Sequence, residues 1–144
     1  MKFAQNFLQL FGRIAIAALF ILAGVWKIFN YSQSIQYMTD KGMTMVHLFY
    51  IGAIVFEILF GTLLFLGYKT RISAIACALF LIPASLIFHN FWAVEGNTAV
   101  QLQFFIFTRN IAIMGGLFYV IAFGAGSISL DRFLCREHND SHIH

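Results

Sequence analysis

Four long apolar runs dominate the chain, separated by short polar breaks. They cover about residues 7–29, 46–67, 72–92 and 101–125. A bilayer hydrocarbon core of about 30 Å takes about 20 residues of helix, so each run is long enough to cross. The pattern predicts an all-α membrane protein, a bundle of four transmembrane helices, with Pro83 kinking the third. The breaks differ in length. Tyr68–Arg71 is a tight turn, so the second and third spans are predicted antiparallel neighbours. Ala93–Val100, with Gly96-Asn97, is a short polar loop. Asn30–Met45 is longer, and its Ile35, Tyr37 and Met38 suit a short amphipathic helix lying along the membrane interface. No repeat or internal boundary interrupts residues 1–132, which are read as one four-span membrane domain; residues 133–144 are read as a short soluble C-terminal tail. Lys2 and Arg13 ahead of Ile14–Trp26 have the layout of a signal peptide. No A-x-A cleavage site precedes a polar mature region, so the first run is expected to be a retained span.

Composition agrees with the pattern. Of 144 residues, 60% are hydrophobic and 10% charged, 18 are Phe, and mean hydropathy is +0.82. An ordinary soluble domain is roughly 25% charged, and one of this size could not bury so much apolar surface. A soluble enzyme and a disordered protein are thereby excluded. The pI of 9.1 raises nucleic acid as a partner, but the nine Lys and Arg are scattered instead of forming a stripe. The lipid bilayer is the expected partner and nucleic acid is not. The bases instead predict orientation. Lys2, Arg13, Lys69, Arg71, Arg132 and Arg136 fall on one side, Lys27 and Lys41 on the other, which places both termini in the cytoplasm. Trp26, Tyr31, Tyr50 and Trp92 then form an aromatic belt at the outer interface. The two cysteines, Cys77 in a span and Cys135 in the tail, are not expected to pair.

The chemistry rests on the few polar groups inside the spans. An unpaired charge at the bilayer centre is unfavourable by about 2.5–3.5 kcal/mol on insertion scales, so such groups face protein or water. Residues three, four, seven or eleven apart share a helix face. This predicts inward stripes of Arg13, Ala17, Gly24 and Lys27; of Ala53, Glu57 and Gly61; of Ala74, Ala78, Ser85 and His89; and of Arg109, Ala112 and Gly116. Small residues mark close helix approach, which gives Gly24, Gly61 and Gly116 structural roles. At about 1.5 Å per residue, Lys27 lies about 3 Å from the outer end of its span, His89 about 5 Å, Arg109 about 12 Å and Glu57 about 16 Å. The expectation is an ion pair between Glu57 and Arg109, at the floor of an outward-opening funnel that also holds Lys27, His89, Asn90 and Asn110, with Gln101 and Gln103 at similar levels. Lys27, Glu57, His89, Asn90, Arg109 and Asn110 are the candidate ligand-binding set.

Each group also has a plainer reading. Glu57–Arg109 fixes helix register, Lys27 snorkels to headgroups, His89 bonds a neighbouring helix, and Arg13 anchors to headgroups near its face. The tail histidines His138, His142 and His144 read as a solvated tail ahead of a weak metal site, and no metal centre is expected. Gly124-Ala-Gly126 has no preceding strand and reads as a helix end.

Three segments together resemble the DoxX family of small four-span membrane proteins. They are Arg13–Phe29 with Ala23-Gly24-x-x-Lys27; Glu57-Ile-Leu-Phe-Gly61 running into Leu66-Gly67-Tyr-Lys-Thr-Arg71; and His89-Asn-Phe-Trp92 followed by Arg109-Asn-Ile-Ala-Ile-Met-Gly-Gly116 and Gly124-Ala-Gly126-x-x-Ser129-Leu-Asp131. The resemblance spans about residues 10–132. It implies a bacterial inner (cytoplasmic) membrane protein linked to redox or sulfur chemistry, because the family is similar to the small subunit of an archaeal thiosulfate:quinone oxidoreductase. Relatives of this kind usually carry Lys where this chain has Arg109. A guanidinium does not readily lose a proton, so a proton shuttle does not carry over to that position.

Three functions compete on this basis. The first is an accessory or quinone-interacting subunit of a redox- or sulfur-linked membrane complex, with partner redox subunits and Arg109, His89 and Lys27 as donors to a quinone head. The second is a non-catalytic assembly or anchoring module in which the Glu57–Arg109 pair is structural. The third is a small anion-handling transporter, favoured by positive charge in the outer half and disfavoured by the absence of broken helices. No motif encodes a cofactor, and no autonomous catalytic motif is present, so catalysis by this chain is left open.

Overall fold

The computed structural model describes residues 2–140, with side chains from residue 3 to residue 135. The chain forms α1 (Lys2–Phe29), α2 (Tyr31–Asp40), α3 (Val46–Leu66), α4 (Thr70–Phe88), a short 3-10 turn at Phe91–Ala93, α5 (Asn97–Phe123) and α6 (Leu130–Asp140), with no strand among the described residues. Helix is what lipid demands. With no water to satisfy the backbone, every N–H and C=O must be paired within the segment. Four helical stretches, Phe3–Phe29, Val46–Leu66, Thr70–Ala93 and Asn97–Phe123, are long and apolar enough to cross a membrane. The protein is a multi-pass membrane protein.

The four long helices form a ring. α1 packs chiefly on α3, α3 on α4 and α4 on α5, and a sparser α5–α1 contact closes it. One end carries both described chain ends, the α3–α4 turn and α6; this is the termini face. The other end carries α2 and the 3-10 turn. The shared core is Ala17, Phe20, Leu64, Ala74, Cys77, Ala78, Leu81, Leu117 and Val120. Its small residues allow the close backbone approach on which membrane helices depend, since lipid supplies no hydrophobic drive between them. Gly61 is one such approach. A Cβ there would lie 3.2 Å from the backbone N of Ile21, an atom that cannot move aside. Gly116 lies across the α1–α5 seam from the end of the Ile16 side chain, 2.7 Å from an added Cβ. Pro83 lies on the exposed side of α4, which runs as one helix through it.

Candidate functional site

α1 presents Arg13, Ala17, Phe20 and Gly24 to the bundle, all buried. Gly24 lies against α3, where an added Cβ would sit 2.8 Å from Ile58 Cγ1 and 3.4 Å from the Cβ of Glu57. Glu57 therefore points into the α1–α3 seam, only 5% exposed. One turn beyond Gly24, Lys27 reaches back, and its Nζ donates to both Oε1 and Oε2 of Glu57 at 2.8 Å. This is the one ion pair among the described residues. Tyr50 covers it, donating its hydroxyl to the Lys27 carbonyl at 2.8 Å. Tyr31 stacks edge-on against Tyr50 at 5.3 Å.

The expected Glu57–Arg109 pair does not form. Glu57 is held by Lys27, and Arg109 lies on the exposed face of α5. The buried residues of α5 are Asn110, Leu117 and Val120. Arg109 precedes that line by one residue, about 100° of helix rotation at 3.6 residues per turn. The buried line of α5 is one position out of phase with the expected stripe at Arg109 and Ala112. The expected depth difference between Lys27 and Glu57 is also absent. Gly24 faces Glu57 and Ile58 while Gly61 faces Phe20 and Ile21, so Glu57 lies one turn from Lys27 and not several turns below it. The remaining candidates have separate partners. His89 Nδ1 meets Gln103 Oε1 at 2.9 Å, and Asn90 Oδ1 accepts from Lys41 Nζ at 2.7 Å. Asn110 is buried and donates to Ser85 Oγ at 2.9 Å, which in turn donates to the Leu81 carbonyl at 2.7 Å. Five of the six candidates thus take separate partners, and Arg109 stands apart from them.

α2 caps this end through buried Ser34 and Met38 and through Tyr37, whose hydroxyl donates to the Phe88 carbonyl at 2.6 Å. Burial raises the Tyr37 phenol above its ordinary value of 10.0, and the Gln103 side chain partly opposes the shift. A raised acid favours the neutral folded form. The stability this contact adds is complete below pH 10.0 and falls as pH rises through the higher folded value. Hydrogen exchange in α2, taken relative to the intrinsic rate at each pH, is therefore expected to accelerate above pH 10 in the native chain. In Tyr37→Phe it is expected to be faster at neutral pH and to lose that step.

A second polar assembly, at the termini face, escaped the sequence reading. Arg13 is 3% exposed and does not reach headgroups. Its Nη1 donates to the Ala125 carbonyl and its Nη2 to Ile128 at 3.0 Å, with a longer contact to Phe65 at 3.5 Å. It lies on the same face as Ala17, so it points to the bundle axis, where the loop after α5 leaves carbonyls without helical donors. α3 ends at Gly67 in the left-handed region (φ +71°), with the Tyr68 N–H closing back on the Leu63 carbonyl at 2.9 Å. A side chain at Gly67 would be strained in that conformation and would also meet Ser129 Cβ at 2.7 Å and Arg13 Nη1 at 2.8 Å. Asp131 then starts α4. Its carboxylate accepts from the Lys69 N–H (2.6 Å), the Thr70 N–H (2.9 Å) and the Thr70 hydroxyl (2.8 Å). The signal was a lone acid after Gly124-Ala-Gly126, and spacing alone does not link it to residue 69. Both cysteines are free, Cys77 buried and Cys135 exposed. The side chains of His138, His142 and His144 lie outside the described residues.

Comparison with known proteins now adds to the geometry. The chain is 33% identical over 129 residues to inner membrane protein YphA of Escherichia coli K12, spanning 90% of this chain and 91% of that one. It is 31% identical over 137 residues to inner membrane protein YqjF of the same organism, spanning 95% and 99%. It is also 33% identical over 128 residues to the ER-derived vesicles protein ERV29 of Saccharomyces cerevisiae, spanning 89% of this chain and 34% of that protein. No solved structure matches. The DoxX family model matches residues 8–90, a stretch that includes Arg13, Gly24, Lys27, Glu57, Gly61 and Gly67, and with two full-length relatives beside it the chain belongs to the DoxX family.

Proposed function

We propose that this chain is an accessory subunit of a redox-linked complex in a bacterial inner membrane, its termini cytoplasmic, and that it seats a membrane-embedded partner on the outer face of α5. The observation that carries the reading is Arg109. It lies midway along a spanning helix, exposed, with no ion pair among the described residues. A charge so placed against acyl chains is unfavourable by about 2.5–3.5 kcal/mol. The acids whose side chains are described are engaged elsewhere or lie outside the spans: Glu57 on Lys27, Asp131 on the α4 start, Asp40 on Gln36 in α2, and Glu95 in the α4–α5 loop. A carboxylate from another subunit would neutralise Arg109 by a bidentate pair. Exposed Phe105 and Ala112 flank it and suit helix packing. The redox link rests on the family resemblance, and the inner membrane on the named relatives.

The test is native purification with mass spectrometry of co-purifying proteins, plus a photo-crosslinker at Phe105 or Ala112. The expected result is one heterologous partner crosslinked at these positions. Arg109→Leu is expected to lose that partner while the chain still accumulates in membranes. A chain that purifies alone, or a partner retained by Arg109→Leu, would overturn the proposal.

A second reading, that the subunit touches a quinone, is favoured by the aromatic cluster of Phe91, Trp92, Phe104 and Phe107, whose contacting ring centroids lie 5.0–5.8 Å apart and whose first member is two residues after His89. A quinone needs an apolar slot with one or two donors. The rings would hold it, with Arg109 and His89 donating, and when bound it would carry electrons that this chain cannot. A purified complex free of quinone, with no thermal shift on adding one, would rule this out.

A further inference from the structure

Two cavities adjoin at the termini face, and the family assignment explains neither. The larger, about 740 Å³, is ringed by Lys69, Arg71 and Arg132. The second, about 550 Å³, runs up the sparse α1–α5 seam past Leu8, Gly12, Ile16 and Gly116. The two share Asn6, Gln9 and Gly124 as a common wall. We propose that together they bind an anionic phospholipid, its phosphate among the three bases and one acyl chain in the seam.

Three observations support this. First, the charge in the head compartment is free to act. The acid there, Asp131, is occupied by the Lys69 and Thr70 N–H groups and the Thr70 hydroxyl, and none of the three bases makes an ion pair among the described residues. Arg71 spends one donor on the Ala122 carbonyl at 3.3 Å and keeps the rest. Second, the wall of the larger cavity holds a buried hydroxyl without a partner, Ser127 Oγ. Buried polar groups are nearly always paired, and a phosphate brings acceptors only. Third, the shape suits an amphiphile. Lys69 and Arg71 sit at the turn between the spans Val46–Leu66 and Thr70–Ala93, and Arg132 in the segment after the span that ends at Phe123, while Gly12 leaves the seam open, with nothing within 4 Å of an added Cβ. A pocket of about 300–1,000 Å³ is of ligand size.

Phosphate could come from a lipid or from solution, and the experiment separates the two. The full chain, stripped of lipid in mild detergent, is titrated with phosphatidylglycerol, phosphatidylcholine or inorganic phosphate while its unfolding temperature is followed. Only phosphatidylglycerol is expected to raise it. Arg71→Gln/Arg132→Gln is expected to weaken that response about 30-fold, at roughly 1 kcal/mol for each base near an anionic lipid surface. Gly12→Leu, which fills the open seam, is expected to weaken it while leaving the unliganded chain folded. An equal response to phosphatidylcholine, or none to phosphatidylglycerol, overturns the site. An equal response to inorganic phosphate overturns the lipid assignment.

Discussion

Lys27→Met is expected to destabilise the folded chain by about 3–5 kcal/mol, the range for stripping one partner from a buried ion pair. The carboxylate of Glu57 keeps only 7% side-chain exposure and would stand in the α1–α3 seam without its counter-ion. Glu57→Leu is expected to do less harm. Lys27 keeps 21% side-chain exposure and has a flexible stem one turn from the helix end, so its ammonium can turn to the interface. The double variant Lys27→Met/Glu57→Leu is expected to recover most of the loss, because paired apolar side chains replace a buried ion pair at little net expense. Unfolding in detergent and accumulation in membranes check the series. Single losses that simply add in the double variant would mean that the two side chains act independently.

Arg13→Leu is expected to cost about 3 kcal/mol, since it removes two charge-assisted hydrogen bonds, to the carbonyls of Ala125 and Ile128. The damage should be local. Proteolysis and hydrogen exchange are expected to rise in the 124–129 loop and the start of α4, while the Lys27–Glu57 end stays protected. Arg13→Lys is expected to rescue only part, because an ammonium lacks the planar fork that reaches separate carbonyls at once. Full rescue by Lys would show that charge alone matters at this position.

The fold was legible because spanning helices are marked by length and apolarity, and the inward faces of α1, α3 and α4 by a polar or small residue on each. Glu57 with Gly61 set the phase of α3, and Ala74, Ala78 and Ser85 set that of α4. α5 offered no such mark. In lipid the outer face is as apolar as the core, so periodicity fades. Gln103, Thr108, Arg109 and Asn110 point to conflicting faces, and the residue that does face inward is neutral Asn110. Choosing the charged neighbour turned the helix by one residue and with it the expected ion pair. The Lys27–Glu57 contact depended on where α3 begins relative to α1, which hydropathy does not determine. The Arg13–Asp131 assembly joins residues more than a hundred positions apart, beyond the reach of any local pattern.

The α4 start takes its acid from Asp131, 62 positions after Lys69 and 61 after Thr70. The α3–α4 hairpin thus leaves the ribosome with its first turn unfinished, and the chain must be synthesised through residue 131 before that turn can close. A nascent chain halted at residue 125 would hold all four spans yet lack this clasp. Completion of the bundle thereby waits for a residue beyond α5, after α5 has entered the membrane.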